Sequence, residues 1–354
     1  MTPILMSAIK TLKMKAILIL IISIIFSSSL RAENKPKLDF LKKNLKLSDI
    51  SEKTDISEKT DIADKSDIAD INCDLCGCYM GLEPNFSKNS VGVRYSVFKF
   101  YTPAHADPDP ELDHPVSSSA STEYYNNIEL FFRYYFTPKF RIIATIPYSF
   151  NEIDSLDLNG FGDIVALAQY QIYNTDMKAT TNFWQRIFLG GGFKIPTGVY
   201  NKSLVYPPVT EPHFQPGTGS FDFLFSGLYI AKLENNGLGW RNDVVYTITT
   251  ENKNGYRFSN RFNFASTFTY EIDTESLVFL PHAGIYLETA GKDTQEGVYV
   301  EDSGGDAFFG TGGIDFYYGD YSLDFNYTFP ISESLNGDQP GNEFRLFVGL
   351  GFAF

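Results

Sequence analysis

The chain has 354 residues and a net charge of −14, from 29 Lys and Arg against 43 Asp and Glu. Aromatic residues make up 16% of it and charged residues 20%, which is too apolar for a disordered protein. The acidic balance disfavours nucleic acid as a partner, because phosphate binding needs a basic patch. Beyond the N-terminus no apolar run reaches the roughly 18 residues of a membrane helix.

The N-terminus reads as an export signal over residues 1–32. Lys10, Lys13 and Lys15 precede the apolar stretch "AILILIISIIF" (16–26), and "SSSLRA" supplies a small residue for cleavage at Ala32. Residues 33–72 are expected to be a low-complexity linker. The stretch "SDISEKTDISEKTDIADKSDIADI" repeats a six-residue unit with one Ile in each, which matches neither the strand nor the helix period and cannot build a core.

All three cysteines follow, in a junction at 73–89: Cys73, Cys76 and Cys78 in "CDLCGCYMG". Three sulfurs at this spacing suit a soft metal, Cu(I) or Zn(II), with Met80 as a candidate fourth ligand. An oxidising compartment would instead pair two of them as a disulfide. The sequence leaves both open, and no other cofactor is indicated.

From residue 90 the side chains alternate in character with period two. In "YSLDFNYTF", Tyr321, Leu323, Phe325, Tyr327 and Phe329 alternate with Ser322, Asp324, Asn326 and Thr328. The stretches "FNFASTFTY" and "FRIIATIPYSF" behave alike. An apolar face opposite a polar or charged one, repeated in segment after segment, predicts an all-β transmembrane antiparallel barrel over 90–354. A soluble β-sandwich fits less well, since sandwiches turn their polar side to solvent.

Twelve strands are expected, at 90–101, 123–136, 140–151, 162–173, 185–196, 220–233, 238–250, 257–271, 277–289, 307–318, 321–331 and 343–354. The connections alternate between long and short. The exceptions are 251–256, short for its side, and 174–184, long for its side. Outer-membrane barrels carry long loops outside and short turns in the periplasm, so both termini are expected in the periplasm. The C-terminal "EFRLFVGLGFAF" places Phe344, Leu346, Val348, Leu350, Phe352 and Phe354 on one side. A terminal strand of this kind resembles the signal read by the barrel assembly machinery, which makes that machinery and outer-membrane lipid expected partners.

The same alternation assigns an inward set. The basic members are Arg94, Arg133, Arg141, Arg186, Lys194, Arg241, Arg257, Arg261 and Arg345. The acidic members are Glu129, Asp163, Asp222, Asp243, Glu271, Glu288, Asp315 and Asp324, and His282 joins them. Buried charges of both signs in a narrow barrel must pair across neighbouring strands, so they stiffen the wall, line a polar pathway, or do both. Loops 102–122 and 197–219 carry Pro, His and aromatic residues suited to folding inward as a constriction.

Three stretches carry a family resemblance: "GFGDIVALAQY" (160–170), "GGGFKIPTG" (190–198) and "PGTGSFDFLFSGLY" (216–229). Their order and spacing resemble the outer-membrane β-barrels of the MetA pathway of phenol degradation, a transporter family. The matching positions are Gly160, Gly162 and Asp163; Lys194, Pro196, Thr197 and Gly198; and Gly217, Thr218, Gly219 and Asp222. The resemblance implies an outer-membrane channel for small hydrophobic or aromatic solutes. It does not extend to the linker or the cysteines. Against an enzyme stands the lack of a motif joining Ser, His and an acid; a metal-handling role through the cysteines is the other alternative.

Overall fold

The computed structural model describes residues 70–74, 79–83 and 88–354, apart from 103–105, 108–115, 118–119, 154–155, 176–182, 203–211, 234–236 and 275–276. The expected signal peptide, nearly all of the expected linker, and Cys76 and Cys78 lie outside these residues. A short hairpin pairs Asp70–Asp74 with Tyr79–Glu83, with Cys73 opposite Met80 in register, across the expected boundary between linker and cysteine segment.

Twelve antiparallel strands close on themselves. They are β1 (Ser90–Thr102), β2 (Ser121–Thr137), β3 (Phe140–Ile153), β4 (Ile164–Asn174), β5 (Phe183–Ile195) and β6 (Asp222–Leu233). They continue as β7 (Leu238–Ile248), β8 (Arg261–Tyr270), β9 (Leu277–Ala290), β10 (Gly305–Tyr318), β11 (Tyr321–Leu335) and β12 (Gly341–Ala353). Each pairs with its neighbours in sequence, and β12 pairs with β1, so no main strand is left with an open edge. The expected strands are all present.

The differences fall at the ends of strands, where loop contacts compete with the ladder. β4 begins at Ile164 and β6 at Asp222, because the residues just before them are drawn into loop packing. Leu156–Phe161 folds back onto β3 as an extra short strand. β8 begins at Arg261, not 257. Tyr256–Arg257 leaves the wall and pairs with Thr294–Gln295 of another loop, so Arg257 is exposed rather than inward. The connection between β7 and β8 is therefore longer than the sequence suggested, and it falls in line with the other long loops. At the opposite end β10 and β11 are joined by two residues, Gly319 and Asp320. Gly319 has φ 58°, which the tight turn requires and glycine adopts without strain.

The alternation of faces is sharp. On β11, Ser322, Asp324, Asn326 and Thr328 are buried, while Leu323, Phe325, Tyr327 and Phe329 are exposed on the outside. Outward aromatics gather near both rims. Tyr134 packs on Phe136 and Tyr321 on Phe352 towards the short-turn end, and Tyr148 on Phe161 and Phe193 on Phe221 towards the long-loop end. An apolar wall between two aromatic girdles is the surface a bilayer-spanning barrel presents to lipid.

The inside is layered. Ile143, Val165, Leu167, Leu224, Val245, Tyr286 and Phe309 form one buried apolar cluster at mid-depth. Between this cluster and the short turns, side chains fill the lumen, among them the fully buried Arg133, Arg141, Arg241 and Phe188. Asn326 belongs to this packed half: its Oδ1 accepts a hydrogen bond from Thr311 Oγ1 at 3.0 Å, and its Nδ2 lies 3.0 Å from His282 Nε2.

Two neighbours on β11 test the register. Phe325→Arg sets a cation on the outer face and should cost about 2–4 kcal/mol in a denaturant titration of the lipid-embedded barrel. Asn326→Arg should also destabilise, by overpacking a filled interior, at about 1–3 kcal/mol. An Asn326→Arg barrel as stable as the parent would show the inner half to be open.

Candidate functional site

Above the apolar layer, towards the long loops, the lumen opens into a vestibule of about 560 Å³. Its floor and walls include Phe98, Phe100, Tyr125, Val165, Phe258 and Ala307. Polar groups ring it: Asn127, Ser149 and Asn151 on one side, and Lys194, Arg261 and Arg345 elsewhere. Among the described residues six carboxylates line it as well: Glu123, Asp163, Asp222, Glu288, Asp302 and Asp338.

The three family-like motifs meet at the edge of this vestibule, around one carboxylate. Asp163 Oδ1 accepts the amide of Gly198 at 2.9 Å. Its Oδ2 accepts the amide of Thr218 at 2.8 Å and the Thr218 hydroxyl at 2.7 Å. Thr197 Oγ1 accepts the amide of Ile164 at 3.0 Å, which ties the start of β4 to the loop after β5. Lys194 sits between two acids, in an ion pair with Asp222 and 3.9 Å from Asp163. Gly198 and Gly217 touch backbone to backbone. A Cβ on either would come within 2.8 Å of the other's Cα, so the motif glycines permit the close approach. This box pins both ends of the 196–221 loop.

The middle of that loop turns inward. Pro212–Phe214 forms a 3-10 turn, Phe214 is completely buried, and Asn151 Nδ2 donates to its carbonyl at 2.7 Å. A second carboxylate, Asp293, holds the turn. Its Oδ2 accepts from His213 Nε2 at 2.7 Å and from Tyr256 OH at 2.6 Å, and its Oδ1 accepts from the Ser259 amide at 2.7 Å. Three long loops are thereby joined at one buried side chain. Burial pushes the Asp293 carboxyl up, but the bonds from His213, Tyr256 and Ser259 outweigh it and hold the group below its ordinary value of 3.8.

Most of the remaining inward positions lie deeper. Arg94 Nη1 is 3.6 Å from Glu129 Oε2, and Arg241 Nη2 donates to Asp243 Oδ1 at 2.6 Å. Arg141 donates to Gln169 and Tyr135, both at 2.9 Å, and stacks over Phe188. Arg186 covers the Trp184 ring at 4.1 Å. Arg133 is buried, its guanidinium 5.8 Å from the Tyr135 ring. His282 Nδ1 lies 3.9 Å from Asp315 Oδ2, and Asp315 faces Asp324 in register across β10 and β11. At the short-turn end Lys232 pairs with Glu271 at 2.7 Å. In the vestibule Arg345 pairs with Glu288 at 3.1 Å, and half-buried Arg261 lies over Phe258.

Sequence reasoning missed the aromatic part of the vestibule. Phe98, Phe100 and Tyr125 point inward, and the signal available was the alternation itself, which puts the first two on the face of Arg94 and the third on the face of Glu129. Nothing in the sequence marked Asp293. Of the cysteines only Cys73 is among the described residues, and it is remote in sequence from the vestibule wall.

No protein-family model and no curated protein matches the chain. Among solved structures it is similar to an outer membrane channel from Pseudomonas putida F1, with a TM-score of 0.56 and 15% identity over 75% of this chain and 96% of that one. The β domain of the Bordetella autotransporter BrkA gives 0.44 and 11%, over 76% and 100% of the two chains. The translocator domain of NalP from Neisseria meningitidis gives 0.37 and 13%, over 77% and 91%. The first of these likenesses establishes a shared barrel fold.

Two loop anchors can be tested apart. Asp163→Asn removes a charged acceptor from three donors and should destabilise the loop box by about 3 kcal/mol. Limited proteolysis should then cut within 196–221, while the heat-modifiable barrel band persists. For Asp293 the depressed carboxyl means that its contribution is present above the ordinary carboxylate range and is lost as pH falls below it. Protease protection of Pro212–Phe214 should therefore hold near neutral pH and fail below about pH 4. Asp293→Asn should lose that protection already at pH 7.

Proposed function

We propose that this chain is an outer-membrane channel that admits small solutes with an apolar or aromatic body. The observation that carries this reading is the vestibule inside a closed barrel, with a polar ring at its mouth and an apolar layer as its floor. A solute entering from the loop side meets hydrogen-bonding groups first and hydrophobic surface next, which favours compounds the size of a single substituted ring. The packed inner half then acts as a filter, and passage requires its side chains to move.

The apolar outer wall with its aromatic girdles supports a location in outer-membrane lipid. The alternation of long loops and short turns supports periplasmic termini, and the exposed Phe354 stacked on Phe352 supports recognition by the barrel assembly machinery. Convergence of the three motif stretches on Asp163 supports membership of the phenol-degradation MetA-like transporter family. Residues 1–32 would then be the cleaved signal and 33–72 a periplasmic linker. The His213–Asp293 pair is used to tie loops together, which supports transport over catalysis. Cys73, Cys76 and Cys78 form a separate thiol centre in this reading. Counting free thiols and bound Cu or Zn per chain distinguishes a disulfide from a metal there.

Reconstitution tests the channel. Planar bilayers should show small, discrete conductance steps. Proteoliposomes should swell in solutes of phenol size and not in oligosaccharides. Tight vesicles and silent bilayers, from protein that is folded by heat-modifiable migration, would overturn the proposal.

A further inference from the structure

The charge of the vestibule narrows what it can hold. Among the described residues, six carboxylates line it against three permanent cations. Two of those cations are already held by acids, Lys194 by Asp222 and Arg345 by Glu288, and the third lies over Phe258. A cleft with a surplus of one sign between low-dielectric walls concentrates ions of the other sign. The wall formed by β1 and β2 adds a second feature. Glu123 lies opposite Phe100 in register, and Phe98 lies opposite Tyr125. Phe100 and Tyr125 meet edge to face at 5.4 Å, and the Tyr125 hydroxyl donates to Glu123 Oε2 at 2.8 Å. A carboxylate above paired aromatic rings, all lining one cavity, is the arrangement that attracts an ammonium group through charge and ring face together.

Deeper in, two buried carboxylates come together among charges of both signs. Asp315 and Asp324 oppose each other in register, both are buried, and neither oxygen of Asp315 has a hydrogen-bond partner among the described residues. Ser322 Oγ, one step towards the short turns on the same face, is also without a partner there.

We infer that the vestibule is a binding site for organic cations, a primary amine carried on an apolar body, with Glu123, Phe100 and Tyr125 as the ammonium subsite. The apolar layer takes the body and the β1–β2 wall takes the charge. The inference rests on the vestibule being open to solute, as in the channel proposal, but not on solute passing through the barrel.

The test uses three compounds of one shape, 3-phenylpropylammonium, 3-phenylpropanol and 3-phenylpropanoate, titrated calorimetrically into the purified full-length protein in lipid nanodiscs. The ammonium should bind about tenfold tighter than the alcohol, and the carboxylate weakest. Glu123→Gln keeps an acceptor for Tyr125 and should bring ammonium and alcohol within about threefold of each other. Phe100→Leu, near in volume, should weaken ammonium binding more than alcohol binding, and it serves if Glu123→Gln does not fold. Equal binding of all three by the parent protein overturns the inference, as does a preference for the carboxylate. An ammonium preference unchanged in both variants overturns the subsite. Charge-selective binding by a barrel that neither conducts nor swells vesicles would sink the channel proposal and leave this one standing, while conductance without charge preference would do the reverse.

Discussion

Hydrocarbon offers no partner for a backbone N–H or C=O, so a chain that crosses it in extended form must bond every such group to another strand. Closure of β12 on β1 meets that demand, and most other features follow from it. Once the sheet is closed, side chains alternate between lipid and lumen with no intermediate choice. The outer residues become an apolar wall, and the inner ones are forced into a narrow shared space. Polar groups there have no bulk water to fall back on, so they bond to one another. Arg141 with Gln169 and Tyr135, Arg241 with Asp243, and Lys232 with Glu271 are products of that confinement.

Confinement is uneven along the barrel. In the half near the short turns, large side chains from neighbouring strands meet and fill the section. In the half near the long loops, smaller inward residues such as Ser149 and Asn151 leave room, and the loops decide how much of it stays open. They do so through two carboxylates. Asp163 gathers the ends of the 196–221 loop, and Asp293 gathers its inward turn together with two other loops. Each is placed so that a single acid satisfies several donors at once, which is an economical way to order long irregular segments. The vestibule is thus a product of both: strands set its diameter, and loop anchors set its mouth.

The sequence carried the strands and their faces with little ambiguity. Over 321–329 of β11 and 344–353 of β12 every second residue could be assigned inward or outward from period two alone, and the buried and exposed positions follow that assignment; beyond them, register shifts turn Leu335 and Asn342 to the lumen. It carried less of what fills the lumen. Arg257 illustrates the limit: alternation extended β8 back to 257, but Tyr256 and Arg257 pair with Thr294 and Gln295, a competition between ladder and loop that local pattern does not register. The aromatic wall of Phe100 and Tyr125 was legible only in part: alternation puts Phe100 on the face of Arg94 and Tyr125 on the face of Glu129, but their meeting edge to face depends on the register of β1 with β2.

What the sequence determined by itself was the repeating part of the problem: twelve segments long enough to span, an apolar and a polar face on each, and connections of alternating length. These are local, because the strand period and the polarity of each side chain suffice. What only the tertiary structure decided was non-local. Asp163 bonds to residues 35 and 55 positions away, and Asp293 to a histidine 80 positions away. Which carboxylate meets which loop depends on register around a closed ring and on glycine contacts such as Gly198 against Gly217. No local pattern encodes a distance across a barrel, so the vestibule and its charge became legible only once the ring was closed.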